Sequence, residues 1–338
     1  MRNKGFALIL KGIRGLPSLA LALLPGAWHE PARAQVAAAT ASASPADGSA
    51  QWRQDLLAWR TQREHELAAP DGWLTLAGLE WLKPGVNSFG AAADNQIRIH
   101  VRVPDHLGLL TVSGKPAGSQ PANARVVQLL APREGFPPEF KVDGGPAREG
   151  PLTVDGAKPS ILTWRGVSMV VLGRGDRFVL RIKDAGSPTR LGFNGLHWYE
   201  PDPRYRITAR WIPFTSAHIE KIPTVIGTTL NLPAPGIAEF KFEGKILRLE
   251  PVIEAGDADE LFFILRDATS QTATYEGGRF LHSGLPDHGL AQPGLLTLDF
   301  NQLYNPPCAY TPYATCPLPP EQNRLAVLIE AGEKRYPH

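Results

Sequence analysis

The chain has 338 residues, with 35 basic against 33 acidic side chains, 33 glycines, 32 prolines and two cysteines. Basic residues mixed evenly with acids exclude the electrostatic footprint of a nucleic-acid binder. Two cysteines without a second pair or a nearby histidine exclude a zinc site of the usual Cys/His kind.

The first residues read as a secretory signal peptide. Lys4, Lys11 and Arg14 form a basic region, Leu16 to Leu24 is mostly apolar, and Ala32, Arg33 and Ala34 make a small-residue cleavage pattern. The apolar run is short of the about 20 residues that span a bilayer, and no later stretch is apolar enough to cross one. Cleavage after Ala34 would leave 30 basic and 32 acidic residues, a net charge of −2. The expected location is therefore periplasmic or secreted. Residues 35–50, mainly Ala, Ser, Pro and Thr, have little to bury and read as a flexible segment.

A helix is predicted from Trp52 to Ala68, because Trp52, Leu56, Trp59, Arg63 and Leu67 recur at helical spacing. Pro70, Asp71 and Gly72 end it. Trp73 to Leu82 reads as a short helix or turn packed on a sheet. From Asn95 the period becomes two. Ile97, Ile99, Val101 and Val103 alternate with Arg98, His100 and Arg102, which predicts a half-buried strand. Further strands are predicted at Leu109–Val112, Arg125–Leu130 and Ile161–Thr163. A hairpin is predicted from Val167–Leu172 and Arg177–Ile182, turning at the G-R-G-D run from Gly173 to Asp176. Tyr205 to Trp211 alternates again. Ile237–Phe242 and Lys245–Leu249 form a second hairpin, and Leu261–Arg266 and Gly294–Phe300 add strands. No β-α alternation and no glycine-rich strand-to-helix turn follows Asn95, which disfavours a nucleotide-binding α/β fold. The predicted class is mainly β, with antiparallel sandwich or barrel-like domains and an N-terminal helix. The expected organisation is residues 1–34 as signal, 35–50 as flexible segment, 51–190 as helix plus a small β-sandwich, and 191–338 as a second β-rich domain.

The stretch from Leu298 to Leu325 holds both cysteines, six prolines, three tyrosines and three asparagines. It is too polar for plain core and too specific for a linker. Cys308 and Cys316, separated by seven residues in a chain read as exported, predict a disulfide. Asp299 ends a strand, a position from which a carboxylate can organise a polar site or cap a turn. Asn301, Tyr304, Asn305 and Asn323 lie around it in sequence, and Arg279 offers a bidentate partner for an anionic group or a structural carboxylate. His197, between a glycine and a proline-rich turn, is the histidine singled out as a base. His282 and His288 flank a G-L-P-D run with Asp287, a weak metal spacing. No G-x-S-x-G elbow, H-E-x-x-H pair or phosphate loop occurs. The candidate catalytic residues are Asp299 and His197. The candidate ligand-binding residues are Arg279, Asp299, Asn301, Tyr304, Asn305 and Asn323. No metal and no cofactor is expected.

Several motifs together resemble the bacterial domain-of-unknown-function family numbered 1684, over Trp52 to about Gly332. They are W-R-x-x-R-E from Trp59, P-D-G-W-L-T-L-A-G-L from Pro70, R-D-A-T-S from Arg266 and G-G-R-F from Gly277. The most specific block is D-F-N-x-x-Y-N-P-P-C-A-Y from Asp299, closing with C-P-L-P-P-x-x-N-R-L from Cys316. The resemblance implies a β-rich shape and a site region, and no established activity. The expected function is binding of a small molecule or cell-envelope component through the C-terminal block. A periplasmic hydrolase and a non-catalytic interaction module are the alternatives. No nucleic-acid partner is expected.

Overall fold

The computed structural model describes residues 45–113, 126–154, 158–254, 256 and 258–337. The expected signal peptide and most of the expected flexible segment lie outside these residues. Helix α1 spans Pro45–Leu67, so it begins earlier than its apolar spacing suggested.

Among the described residues the first region holds eleven strands in two sheets. The strands are β1 (Leu76–Trp81), β2 (Gly85–Gly90), β3 (Ile97–Arg98), β4 (Gly108–Ser113), β5 (Val126–Leu130), β6 (Lys141–Val142), β7 (Gly145–Pro146), β8 (Gly150–Leu152), β9 (Leu162–Trp164), β10 (Val167–Arg174) and β11 (Arg177–Asp184). One sheet runs β1-β11-β10-β9-β6-β7 and the other β3-β2-β4-β5-β8. Phe89, Leu110, Leu129, Phe140, Met169 and Leu180 pack into one shared core. The predicted β10–β11 hairpin pairs down to Arg174 and Arg177, which leaves Gly175 and Asp176 as its turn. Gly175 takes φ +61°, a value glycine adopts without a side-chain clash.

Two local expectations change. Trp73–Thr75 is a single 3-10 turn, and the chain then extends as β1 along β11. The strand expected from Ile97 to Val103 is confined to Ile97–Arg98. Ile97, Ile99 and Val103 are nonetheless buried, while Arg98, His100 and Arg102 are exposed. The alternation sets which face of an extended chain is buried. A strand also needs a ladder to pair with, and among the described residues the pairing with β2 ends at Arg98, with one last bond from the Ile99 amide to the Gly90 carbonyl at 2.8 Å.

The second region holds β12 (Arg206–Pro223), β13 (Thr229–Phe242), β14 (Lys245–Leu249), β15 (Glu260–Leu265), β16 (Arg279–Gly284) and β17 (Gly294–Asp299). Four of them form a sheet in the order β14-β13-β12-β17, and β15 pairs with β16. Trp211, Phe240, Phe263, Leu281, Leu298 and Phe300 build the core between them. Trp211 is fully buried and its indole N–H donates to the Leu290 carbonyl at 3.0 Å, so its burial leaves no polar atom unmet. The molecule is thus mainly β and antiparallel, with an N-terminal helix. Among the described residues no helix is long and apolar enough to cross a membrane.

After β17 the described chain forms no further strand, only short 3-10 turns and single bridges. Much of it is nevertheless buried. A buried irregular backbone cannot leave its N–H and C=O groups unpaired, so side chains from elsewhere must meet them. Gly278 shows how tightly this segment is packed. It has φ +95°, and a Cβ there would sit 2.5 Å from Pro319 Cγ and 2.6 Å from the Leu265 carbonyl oxygen.

Candidate functional site

One face of α1 is chemically matched to the C-terminal block. The Trp52 indole N–H donates to Asp299 Oδ2 at 2.6 Å. Arg60 donates to the carbonyls of Tyr199 and Asn301 and lies 4.7 Å over the Trp198 ring. Glu64 accepts from the Leu196 amide and the Trp198 indole, both at 3.1 Å. Arg63 donates to Glu333 Oε2 at 3.0 Å and to the Asn305 carbonyl at 2.8 Å. Sequence order suggested that α1 packs on the first sandwich. Its polar contacts run to the second region instead, because the arginines and the acid on its inner face need partners that only this block provides.

Glu333 is the centre of this junction. It is fully buried and accepts from Arg63, from the Asn305 amide and side chain at 3.0 and 2.8 Å, and from the Tyr310 hydroxyl. Burial alone lowers the Arg63 guanidinium, but Tyr310 and Glu333 outweigh it and hold it above its ordinary value. Burial and the Glu333 charge push the Tyr310 hydroxyl up.

The residues singled out by sequence have the following surroundings. Asp299 accepts from Trp52, from the Asn301 amide at 3.1 Å and from the Asn301 side chain at 2.9 Å, with Arg206 at 3.9 Å. Asn301 also spans the Asp202 backbone, accepting from its N–H and donating to its C=O, each at 2.9 Å. Arg279 pairs with Asp267 at 2.7 Å, rather than with Asp299 or Glu276, and donates to the Ile329, Ala331 and Glu333 carbonyls. Asn323 accepts from the Glu250 amide and donates to the Glu250 and Ile264 carbonyls. His197 is exposed, and its carbonyl accepts from the Lys334 amide. Asp299 and Asn301 are in contact with one another, Asn305 belongs to the Glu333 junction, Arg279 reaches that junction through the Glu333 carbonyl, and Asn323 and His197 stand elsewhere.

The predicted disulfide is not present. Cys308 and Cys316 are free thiols. Each sulfur accepts from the other residue's amide, at 3.2 and 3.4 Å. Cys316 is held in place by backbone pairing, because its carbonyl accepts from Val225 and its neighbour Pro317 bridges Thr224. The loop is therefore closed by hydrogen bonds and packing. The hydrogen bond from Cys316 lowers the Cys308 thiol, while burial raises that of Cys316.

Tyr304 opens onto a different arrangement. Its hydroxyl lies 2.9 Å from His282 Nε2, and the two rings are inclined by only 8°. Glu260 Oε2 stands 3.4 Å from His282 Nδ1, on the far side of the imidazole. Phe262 stacks on His282 at 4.8 Å, and the Arg63 guanidinium sits 4.3 Å over the Tyr304 ring. Burial raises the Tyr304 hydroxyl well above its usual range, with Arg63 opposing. Tyr304 is buried, whereas the side chains of His282 and Glu260 are 21% and 39% exposed, so the row reaches solvent at its imidazole–carboxylate end. His282 does not meet His288, which is exposed beside Asp287. The register of β15 on β16 creates this row by setting Phe262 opposite His282 and Glu260 two residues away on the same face. His282 and Tyr304 stand out separately in the sequence; Glu260 and Phe262 do not, and nothing there signals the pairing.

An open groove of about 530 Å³ flanks the Asp299 corner, lined by Tyr199, Asp202, Arg204, Tyr205, Glu330 and Lys334 among others. Burial raises the Tyr199 and Tyr205 hydroxyls.

Residues 191–334 match the family described as "Protein of unknown function (DUF1684)". This span is narrower than the Trp52–Gly332 resemblance carried by the motifs, and it omits α1. Among solved structures, the chain is similar to an uncharacterized protein of Haloarcula marismortui determined by solution NMR. The two are 33% identical over 43% of this chain and 78% of that one, with a TM-score of 0.37. No curated protein matches the chain.

Proposed function

We propose that this chain, whose residues 191–334 match the family of proteins of unknown function DUF1684, is an exported protein that binds a small molecule or cell-envelope component at the Glu260–His282–Tyr304 row. The supporting observation is the hydrogen bond between His282 and Tyr304, with Glu260 3.4 Å from the other imidazole nitrogen, which is buried and makes no hydrogen bond. The row presents a partly exposed imidazole whose Nδ1 has no hydrogen-bond partner, the Glu260 carboxylate beside it, the Tyr304 phenol behind it and aromatic walls in Phe262 and Phe280. A few convergent polar groups in an aromatic setting are the usual make-up of a small-ligand site. Asp299, Asn301 and Asn305 support the site by ordering the C-terminal block around Tyr304.

The same row favours hydrolysis as the second reading. An imidazole with a carboxylate at Nδ1 and a hydroxyl at Nε2 has the parts of a general acid–base pair. In that reading His282 replaces His197 as the base. Export rests on the basic, apolar and Ala-Arg-Ala segments of residues 1–34, and N-terminal sequencing of the processed protein should begin at Gln35. The division into domains near residue 190 is proposed from the two largest cores, with smaller clusters joining Leu74 and Leu76 to the second region.

The test is native mass spectrometry of the full chain purified from the periplasm, with His282→Ala and Tyr304→Phe alongside. Wild type should carry or capture a small ligand that His282→Ala loses, while circular dichroism shows both variants folded. Equal ligand occupancy in wild type and His282→Ala would refute the assignment of the site.

A further inference from the structure

We propose that His218, Glu220 and Glu250 form a binding site for a divalent transition-metal ion of the zinc class. None of these residues belongs to the Tyr304 row, and the proposal does not rest on it. One ligand atom from each of the three lies within 4.8 Å of the others. His218 Nε2 is 3.3 Å from Glu220 Oε2 and 2.8 Å from Glu250 Oε1. Metal–ligand bonds of about 2.0–2.2 Å put neighbouring ligand atoms somewhat over 3 Å apart in a tetrahedral site. The Glu220 contact already has that spacing, and the Glu250 contact reaches it by opening about half an ångström.

Two further features point to a ligand rather than to a simple surface ion pair. The first is Glu250 itself. Its Oε1 is buried, and His218 Nε2 stands 2.8 Å from it. A buried carboxylate oxygen is costly unless something positive meets it. The second is rigidity. Asn323 grips the Glu250 backbone on both sides, accepting from its N–H at 2.8 Å and donating to its C=O at 2.9 Å. This gives the asparagine of the closing N-R-L motif a purpose beyond turn formation, since metal sites need their ligands oriented by supporting hydrogen bonds.

The strand geometry supplies the third ligand. Between Pro213 and His218 the β12–β13 register slips, so Pro213 faces Gly236 while His218 faces Ala234. Such bulges re-aim side chains. Beyond this one, His218 and Glu220 lie two residues apart on one face of β12, and the Phe214 ring backs the imidazole at 4.8 Å. One imidazole and two carboxylates suit zinc, iron or nickel better than magnesium or calcium, which take oxygen alone. Three protein ligands leave a coordination position for water or an anionic oxygen.

The test uses the untagged full chain, stripped with chelator and titrated with Zn²⁺ by calorimetry, with Co²⁺ absorption as a second readout of geometry. Wild type should bind one ion per chain. His218→Ala and Glu250→Gln should each weaken binding at least about tenfold, by comparison with the 10–100-fold typical of losing a supporting group. Glu220→Gln, more exposed and less demanding on the fold, should weaken it as well, and His288→Ala should leave it unchanged. Circular dichroism checks that each protein is folded. No saturable one-to-one binding by wild type, or unchanged affinity in folded His218→Ala and Glu220→Gln, would overturn the proposal.

Discussion

Replacing Glu333 with Gln probes the junction between α1 and the C-terminal block at nearly constant volume. The carboxylate accepts four hydrogen bonds, from Arg63, the Asn305 amide, the Asn305 side chain and the Tyr310 hydroxyl, with no solvent contact. Glutamine keeps one accepting oxygen. Its –NH₂ group would face donors that previously met the second oxygen, and the Arg63 charge would stay buried without its counter-charge. Charge-assisted bonds contribute about 1.5–3 kcal/mol each, and removing one partner of a buried ion pair costs about 3–5 kcal/mol. We expect a loss near the latter range, about 3–5 kcal/mol, a large part of the about 5–15 kcal/mol that stabilises a typical domain. Urea unfolding followed by tryptophan fluorescence and circular dichroism should show the midpoint fall. Arg63→Met should be strongly non-additive with Glu333→Gln, by about 0.5–3 kcal/mol, because the two side chains share the interaction. A Glu333→Gln loss under about 1 kcal/mol, or strict additivity with Arg63→Met, would refute the claim that this pair clamps the helix.

Asp299→Asn should cost about 1.5–3 kcal/mol in urea unfolding, since the carboxylate receives charge-assisted bonds from Trp52 and Asn301. A folded Asp299→Asn protein of wild-type stability would deny it that role. Lys183 gives the pH prediction. Burial, with Arg181 beside it, brings its ammonium down to about 8. The unfolded chain therefore holds this proton more tightly than the folded one between pH 8 and the usual lysine value of about 10.4. The group's destabilising effect is complete below pH 8 and fades as the pH rises through that window. Lys183→Met should be about 1–3 kcal/mol more stable than wild type at pH 7, and this advantage should vanish or reverse by pH 10.5. A gap that does not change with pH would show that Lys183 titrates normally. The loss of the Lys183 bond to the Asp71 carbonyl at 2.5 Å offsets part of the gain at every pH.

Local order was legible in the sequence wherever one periodic pattern decided it. The heptad-like spacing of Trp52, Leu56, Trp59 and Arg63 determined a helix. The alternation from Val167 to Ile182 and from Tyr205 to Trp211 determined strands, and the glycines between them determined turns. The lack of β-α alternation determined an antiparallel β class. These are short-range consequences of backbone geometry and side-chain direction. The same reasoning overran at Ile99–Val103, where burial alternates without a ladder, and it missed β2, β6, β7, β8 and β16 and the outer parts of β12 and β13, where glycines, prolines and polar residues weaken the pattern.

The tertiary structure alone decided what the signature residues touch. Arg279 is a cationic ligand candidate in sequence, yet in the fold it serves three carbonyls and Asp267. Cys308 and Cys316 have a spacing that suits a disulfide, but the backbone path turns each sulfur onto the other's amide. Helix α1 precedes the first sandwich and yet docks on the second region, because Arg60, Arg63 and Glu64 require buried partners that lie more than a hundred residues away in the chain. Glu260 and His282 meet only through the β15–β16 register, and His218 and Glu250 only through a bulge and an asparagine clamp. Composition and periodicity report on neighbours along the chain. Hydrogen-bond partners of an irregular buried segment are chosen by whichever distant groups packing brings within about 3 Å, and no local pattern encodes that choice.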